Sequence, residues 1–421
     1  MKTARLKQIQ TAAVVLLVCS GLVNYLDRST LSIANSAVSA EMHLTASQMG
    51  FLLSAFSLPY ALAQLPMGVL LDKMGARFTL GLGMLLWSIA QLGGGFVRGL
   101  NQFFAARLLL GVGEAPQFPA GAKVFSDWFA VKERGRPTGI FVASTTIAPA
   151  LAPPVLTALM LAFGWRGMFI IMGVAGILIA VAWVAIYRDR RDVALNAQEI
   201  AFLEDGKPAD DRGMTAAEWR SLFKQRTTWG MLLGFMGVIY MVWLYLTWLP
   251  AYLEKERGLA LATGGWIMSI PYLAGTFGQL SSGYVADKLL ARGLSPIASR
   301  KWPICIGLVC AAAFTVPAAY TPSLFWAIVF ISGAMYFVNL ASGGSWALAS
   351  VAAPRRLVAS LGSLQNFGGY LGGSMAPIIT GMIVDRTGSF VYALLIAAGV
   401  ALAGAVAYIL LVRAPIADTP A

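Results

Sequence analysis

Long apolar segments separated by short polar stretches recur along the whole chain of 421 residues. A membrane-spanning helix needs roughly 20 apolar residues. Segments of that size predict helices over 11–37, 47–71, 78–97, 102–125, 137–162, 166–187, 229–253, 262–286, 302–319, 323–351, 357–384 and 390–412. The longest polar stretch separates the sixth from the seventh. The pattern predicts an all-α membrane protein of twelve transmembrane helices, with an N-terminal bundle over 1–187, a cytoplasmic linker over 188–228 and a C-terminal bundle over 229–421.

Composition and charge support this assignment. Hydrophobic residues make up 58% of the chain and charged residues 12%, whereas a soluble protein has about 25% charged residues. The net charge of +12 is spread over short loops, so it indicates membrane topology rather than nucleic-acid binding. The basic residues concentrate on the side of the two termini and the linker. Both termini are therefore predicted to be cytoplasmic. We further expect a protein of the cell inner membrane that functions as a monomer and needs no metal or cofactor.

One motif follows the second predicted helix and returns later in the chain. It consists of Gly68, Asp72, Lys73, Gly75 and Arg77. The same spacing recurs after the eighth helix with Gly283, Asp287, Lys288 and Arg292, at an offset of 287 − 72 = 215 residues. A weaker copy, Gly381, Asp385, Arg386 and Gly388, follows the eleventh helix. Repeats of this kind are typical of transporters built from two related halves.

Four charged side chains lie five or more residues inside the ends of predicted helices, where each costs at least a few kcal/mol and requires a partner or a function. Asp27 and Arg28 lie in the first helix, and Arg107 and Glu114 in the fourth. In a purely structural arrangement, Asp27 would pair with Arg107 and Glu114 with Arg28. In a functional one, a carboxylate takes up a proton and releases an arginine, whose planar fork then binds an anion.

The motif at 68–77 resembles the signature loop of the major facilitator superfamily. The stretches 25–30 and 107–119, together with Trp128-Phe129, Glu133-Arg134 and Gly164-Trp165-Arg166, resemble the anion:cation symporter branch. That branch includes bacterial galactonate, glucarate and hexuronate permeases and the vesicular glutamate and sialic acid carriers. The resemblance implies two pseudo-symmetric six-helix bundles that rock about a central site.

The resemblance also implies roles for individual residues. Asp27 and Glu114 would handle protons, while Arg28 and Arg107 attract the anion. The remaining substrate-binding candidates are Tyr25, Tyr60, Thr145, Ser342, Ser345, Trp346 and Asn366. A conformational latch would comprise Gly68, Asp72, Lys73, Arg77, Asp287 and Lys288. Simpler interpretations stay open: close helix packing for 342–345, core packing for Tyr60 and Trp346, and a solvated turn for the motif.

Position 145 bears on the choice of substrate. Several sugar-acid permeases carry glutamine where this chain has Thr145, whereas hexuronate permeases have a small polar residue there. The acidic Asp27 is more similar to the galactonate and glucarate group, so the particular sugar acid stays open.

We therefore expect a symporter that moves a small organic anion, a sugar acid, together with protons, with sodium as an alternative coupling ion. An organophosphate:phosphate antiporter is the first alternative function, although exchange needs no intramembrane carboxylates. A membrane-embedded anion sensor is the second, although 188–228 contains no segment typical of a signalling domain. The sequence contains no nucleophile–base pair and no phosphate-binding glycine loop at useful spacing, so it does not predict an enzyme.

Overall fold

The computed structural model describes residues 3–205, 216–354 and 357–416. The linker residues 206–215, together with Arg355 and Arg356, lie outside this range. The helices in the described residues are α1 Ala4–Ile33, α2 Asn35–Met42, α3 Ala46–Ser54, α4 Ser57–Gly94, α5 Leu100–Glu114, α6 Gln117–Trp128, α7 Gly135–Ile186, α8 Ala197–Glu204, α9 Ala216–Leu222, α10 Arg226–Arg257, α11 Leu261–Ala291, α12 Pro296–Tyr320, α13 Leu324–Ala352, α14 Val358–Thr387 and α15 Val391–Leu411. No strand occurs among these residues, and the predicted all-α fold is confirmed.

Eight helical stretches in the described residues are long and apolar enough to cross a membrane. Two of them, Ala46–Gly94 and Gly135–Ile186, each contain two of the predicted segments. Their two parts meet at a glycine with positive φ, Gly75 at 84° and Gly164 at 69°. Only glycine adopts this conformation without steric cost. The fourth predicted segment corresponds to α5 and α6, which are separated at Ala115 and Pro116, and the eighth corresponds to α11.

The chain forms two compact units. Unit 1 comprises residues 1–42 and 55–211, and unit 2 comprises residues 43–54 and 212–421. In unit 1, α1 packs against α7, and α4 packs against α5 and α7. In unit 2, α13 packs against α11 and α12, and α10 packs against α14 and α15. The short helix α3 packs against α14 and is therefore part of unit 2, although both of its neighbours in sequence belong to unit 1.

A glutamate links two helical segments in each unit: Glu41 of α2 contacts the part of α7 that follows Gly164, and Glu256 near the end of α10 contacts the residue before α15. In unit 1, Glu41 accepts hydrogen bonds from the Trp165 indole at 2.6 Å and from the Arg166 guanidinium at 2.9 Å. These donors hold the pKa of Glu41 below its usual value. In unit 2, Glu256 accepts a hydrogen bond of 2.8 Å from the backbone N–H of Phe390. The two glutamates are 256 − 41 = 215 residues apart, the same offset as the repeated motif, although their partners are side chains in one unit and a backbone N–H in the other.

Candidate functional site

The four intramembrane charges come together in unit 1, on α1 and α5. Helix α5 ends at Glu114 because Pro116 follows, and proline cannot continue the hydrogen-bond pattern of a helix. This ending brings the Glu114 carboxylate to Arg28, whose Nε donates a hydrogen bond of 2.7 Å to Oε2. Both side chains are buried, with exposed fractions of 3% and 0%. One of the two predicted ion pairs is therefore present.

The other predicted pair is not formed. Asp27 and Arg107 are both buried, and no salt bridge between them occurs in the described part of the chain. Neither carboxylate oxygen of Asp27 has a hydrogen-bond partner there, and neither do Nε and Nη1 of Arg107. A buried charge without a partner costs far more than one that is hydrogen-bonded. Within the described residues the arrangement is thus not an electrically satisfied lattice, because it combines a tight pair with an unpaired acid and an unpaired base.

Three aromatic rings surround the guanidinium of Arg28. Its Cζ atom lies 4.6 Å from the ring centres of Tyr25 and Phe56, and 4.8 Å from that of Tyr60. Phe56 also faces Arg107, whose Cζ lies 5.8 Å from the same ring centre. Aromatic faces attract cations, and more strongly where water is excluded. Phe56 therefore contacts both arginines, a role that sequence reasoning missed because phenylalanine in an apolar segment carries no functional signal.

Further polar groups lie around these charges in unit 1. The hydroxyl of Tyr60 accepts a hydrogen bond of 2.8 Å from Gln64. The Tyr25 hydroxyl approaches Thr145, whose own hydroxyl donates to the backbone carbonyl of Val142 at 2.7 Å. Tyr25, Tyr60 and Thr145 thus belong to the same region as the arginines, and their predicted role in substrate binding stays a prediction.

Buried amides fix the polar part of α1. Gln91 donates to Thr30 at 3.0 Å, and Gln117 donates to Ser20 at 2.8 Å. All four side chains are buried, so these bonds replace those that water would otherwise provide. Gln91 is not among the residues predicted from the sequence, although an amide in an apolar segment is a usable signal for such a network.

The predicted binding residues of unit 2 lie on α13 and α14. Ser345 is fully buried; its hydroxyl donates to the carbonyl of Ala341 at 2.8 Å and accepts from Tyr408 at 3.0 Å. That hydroxyl is engaged within the unit, which fits a packing role better than a substrate contact. Trp346 is 48% exposed and packs its edge against Phe235 at 5.7 Å.

Ser342 and Asn366 are half-buried, and a role in substrate binding remains a prediction for them. The glycines next to Ser342 serve close packing. A Cβ at Gly343 would lie 2.2 Å from the hydroxyl of Ser282, and one at Gly344 would lie 3.0 Å from Ile304. The packing interpretation of 342–345 therefore has direct support at its two glycines.

The motif at 68–77 forms the connection inside α4. Gly75 has positive φ, and Asp189 accepts hydrogen bonds from the next two backbone N–H groups, those of Ala76 at 2.9 Å and Arg77 at 3.1 Å. The guanidinium of Arg77 donates to the carbonyl of Val184 at 2.8 Å and 3.0 Å. Asp189 at the start of the predicted linker and Val184 just before it thus stabilise the turn at Gly75.

The other predicted latch residues are exposed. Asp72 forms a salt bridge of 3.5 Å with Lys123 and is 76% exposed. A Cβ at Gly68 would meet no atom within 4 Å. In the repeated copy, Asp287 and Lys288 are exposed, and the Lys288 ammonium lies 5.7 Å from the ring centre of Tyr284. The latch function of this set stays a prediction.

The model of the Major Facilitator Superfamily matches residues 17–377. The chain belongs to this superfamily. Within it, the chain belongs to the sugar-acid permease branch, as the motifs predicted. It is 49% identical over 418 residues to a probable L-galactonate transporter of Escherichia coli (strain K12), covering 99% of this chain and 92% of that protein. It is 32% identical to a D-galactonate transporter of Escherichia coli O6:H1, with 94% of each chain covered.

The fold matches those of solved transporters. A D-xylose–proton symporter superposes with a TM-score of 0.76 at 14% identity, covering 96% of this chain and 98% of the other. Identity at this level supports the fold alone. Together, the family and the relatives establish a multi-pass membrane transporter and not an enzyme.

Proposed function

We propose that this transporter is a proton-coupled symporter that imports a sugar acid of the galactonate type by alternating access. The observation that carries the proposal is the set of four buried charges on α1 and α5. Arg28 is held by Glu114 at 2.7 Å, while the carboxylate oxygens of Asp27 and two nitrogens of Arg107 have no hydrogen-bond partner among the described residues.

Anion binding follows from the two arginines. A carboxylate forms its strongest hydrogen bonds with the planar fork of a guanidinium. Arg107 already offers Nε and Nη1, whereas Nε of Arg28 is occupied by Glu114. When Glu114 takes up a proton, its bond to Arg28 loses the charge contribution, and a substrate carboxylate can replace it. Loss of that proton restores the pair and displaces the substrate, which couples the two movements.

Asp27 supports the same scheme from a different position. An ionised carboxylate that is buried without a partner is costly, whereas its protonated form is not. Asp27 is fully buried, and neither of its carboxylate oxygens has a hydrogen-bond partner among the described residues. We therefore assign Asp27 as a second proton carrier, which allows more than one proton to accompany each anion.

The proposed substrate class rests on the charge of the site and on the names of similar proteins. Similar proteins are named for L-galactonate and D-galactonate, and each of these anions has one carboxylate and several hydroxyl groups. The arginines would bind the carboxylate. The Thr145 hydroxyl near Tyr25, and the half-buried Ser342 and Asn366, are the candidates for binding substrate hydroxyls.

Uptake into proteoliposomes tests the proposal. The panel comprises L-galactonate, D-galactonate, glucarate, glucuronate, galacturonate and a sugar phosphate, each with an inward proton gradient, an inward sodium gradient, or neither. Accumulation of a galactonate only under the proton gradient is the expected result. Accumulation driven by sodium would contradict proton coupling. Uptake of the sugar phosphate only against internal phosphate would make the protein an exchanger.

A further inference from the structure

One face of α1 carries a row of buried polar side chains. Ser20, Asn24 and Arg28 are spaced four residues apart and are all buried, so they lie one above the other on the same side of the helix. Ser20, at one end of the row, accepts a hydrogen bond of 2.8 Å from Gln117. Arg28, at the other end, donates one of 2.7 Å to Glu114. Asn24 therefore lies between these two contacts.

The side-chain amide of Asn24 faces the Glu114 carboxyl, yet it is not hydrogen-bonded. Neither Nδ2 nor Oδ1 of Asn24 has a hydrogen-bond partner of acceptable length and angle among the described residues, and neither does Oε1 of Glu114. A buried polar group without a partner is unfavourable. Two other buried amides of unit 1 do have partners: Gln10 donates to the carbonyl of Trp128, and Gln91 donates to Thr30. An asparagine with a purely structural role would be hydrogen-bonded in the same way.

The two protonation states of Glu114 need different partners. An ionised carboxylate only accepts hydrogen bonds, and Nε of Arg28 supplies one to Oε2. A neutral carboxyl carries an O–H group, which needs an acceptor of its own where water is excluded. A guanidinium has five donors and no acceptor, so neither Arg28 nor Arg107 can accept that hydrogen bond.

Two further titratable groups of α1, Tyr25 and Asp27, also face Glu114. The Tyr25 hydroxyl approaches Thr145. Asp27 is the second proposed proton carrier, so its own charge changes when protons are taken up. The amide oxygen of Asn24, by contrast, is an acceptor whose strength does not change with pH. Asn24 is therefore suited to bind the neutral form of Glu114.

We propose that Asn24 is a positioning residue for proton coupling: its amide oxygen accepts the O–H of neutral Glu114 and holds that carboxyl while the substrate anion occupies Arg28. The proton stays on Glu114 throughout this contact, and only the hydrogen bond to the amide forms. When Glu114 loses its proton, the contact has no hydrogen to share, and the carboxylate returns to Arg28. This inference rests on the proposed role of Glu114 as a proton carrier.

The pH dependence of galactonate binding tests this role. Wild-type protein and the Asn24→Leu variant are titrated calorimetrically with L-galactonate over a series of pH values. Leucine has the same branched shape but no hydrogen-bonding group, so neutral Glu114 loses its acceptor, whereas the ionised form bound to Arg28 loses nothing. The pH of half-maximal affinity should therefore fall by about 0.4–1 unit, the shift equivalent to one neutral hydrogen bond.

Gln10→Leu is the matched control, because Gln10 is a buried amide on the same helix, 24 − 10 = 14 residues away, and donates to the carbonyl of Trp128. Its substitution should lower the unfolding temperature and leave the pH of half-maximal affinity unchanged. Asn24→Leu should give the opposite pattern. Its pH of half-maximal affinity should fall, and above that pH its unfolding temperature should be no lower than that of the wild type.

The Glu114→Gln variant separates this inference from the proposed function. If Glu114→Gln leaves the pH dependence of binding unchanged, Glu114 is not a proton carrier, and the role of Asn24 fails with it. If Glu114→Gln changes the pH dependence but Asn24→Leu does not, only the inference about Asn24 is overturned. A lowered unfolding temperature with an unchanged pH profile, as expected for Gln10→Leu, would make Asn24 structural. If Asn24→Leu does not fold, Asn24→Ala decides, with a shift in the same direction.

Discussion

Glu114→Gln separates proton coupling from anion binding, because it removes a charge while keeping a hydrogen-bond acceptor of the same size. The Arg28–Glu114 bond is 2.7 Å long and buried. A hydrogen bond to a charged group contributes about 1.5–3 kcal/mol, and a neutral one about 0.5–1.5 kcal/mol. The Arg28 guanidinium is charged in both proteins, so we take the loss at the lower end, about 1–1.5 kcal/mol. That loss corresponds to roughly tenfold weaker competition for Arg28.

Two measurements on the purified variant follow from this number. Calorimetric titration with L-galactonate at neutral pH should give an affinity about tenfold higher than that of the wild type, because the substrate no longer displaces a carboxylate from Arg28. In proteoliposomes, gradient-driven accumulation should be lost, whereas exchange of external for internal galactonate should continue. Glu204→Gln is the matched control, because Glu204 pairs with Arg190 on an exposed surface, and its substitution should change neither measurement.

Two results would contradict this role of Glu114. A Glu114→Gln variant that still concentrates galactonate under a proton gradient would remove Glu114 from the coupling role. A variant that couples poorly but binds with unchanged affinity would show that Glu114 does not compete with the substrate for Arg28, and the pair would then be structural.

Three further predictions concern neighbouring contacts. Arg107→Ala should abolish galactonate binding, while Arg107→Lys should retain only part of it, because lysine lacks the planar fork; near-normal affinity of Arg107→Ala in the same titration would favour a structural role. Phe56→Leu should alter galactonate affinity severalfold, because it removes the ring that faces both arginines, with Phe51→Leu on the exposed face of α3 as the neutral control. Glu41→Gln should lower the unfolding temperature in detergent at pH 7, and its difference from the wild type should shrink as the pH falls below 4.5. The lowered pKa of Glu41 means that its stabilisation is present above its ordinary value of 4.5 and is lost as the pH falls through the folded value. Because Glu41 is 48% exposed, that effect should stay below about 1 kcal/mol.

Much of the architecture follows from the amino-acid sequence alone. Each apolar segment of about 20 residues must form a helix, because lipid offers no partner for an unpaired backbone N–H or carbonyl. The charges at positions 27, 28, 107 and 114 were recognisable for a related reason, since ionisable groups are rare where burial is costly. The spacing of the motifs also indicated the family, and the comparisons confirmed it.

Which of those charges pair with each other cannot be predicted from the amino-acid sequence alone. Position along the chain allowed Asp27 and Arg107 to pair, but the packing of α1 against its neighbours leaves both without a salt bridge in the described residues and brings Glu114 to Arg28. The role of Phe56 could not be predicted from the sequence, because an aromatic ring acquires such a role only from the cation placed beside it. The same is true of Ser345, whose hydroxyl is engaged by Tyr408, 63 residues away in sequence.

Local chemistry thus dictated the helices, their approximate ends and the presence of a charged site, because hydrogen bonding and desolvation act on each segment separately. Long-range packing dictated which partners meet. Asp385 and Ala46 are 339 residues apart, yet two glycines let their helices touch and a carboxylate caps the neighbouring helix. Contacts of this kind depend on shape complementarity between whole helices, and no pattern within either segment encodes it.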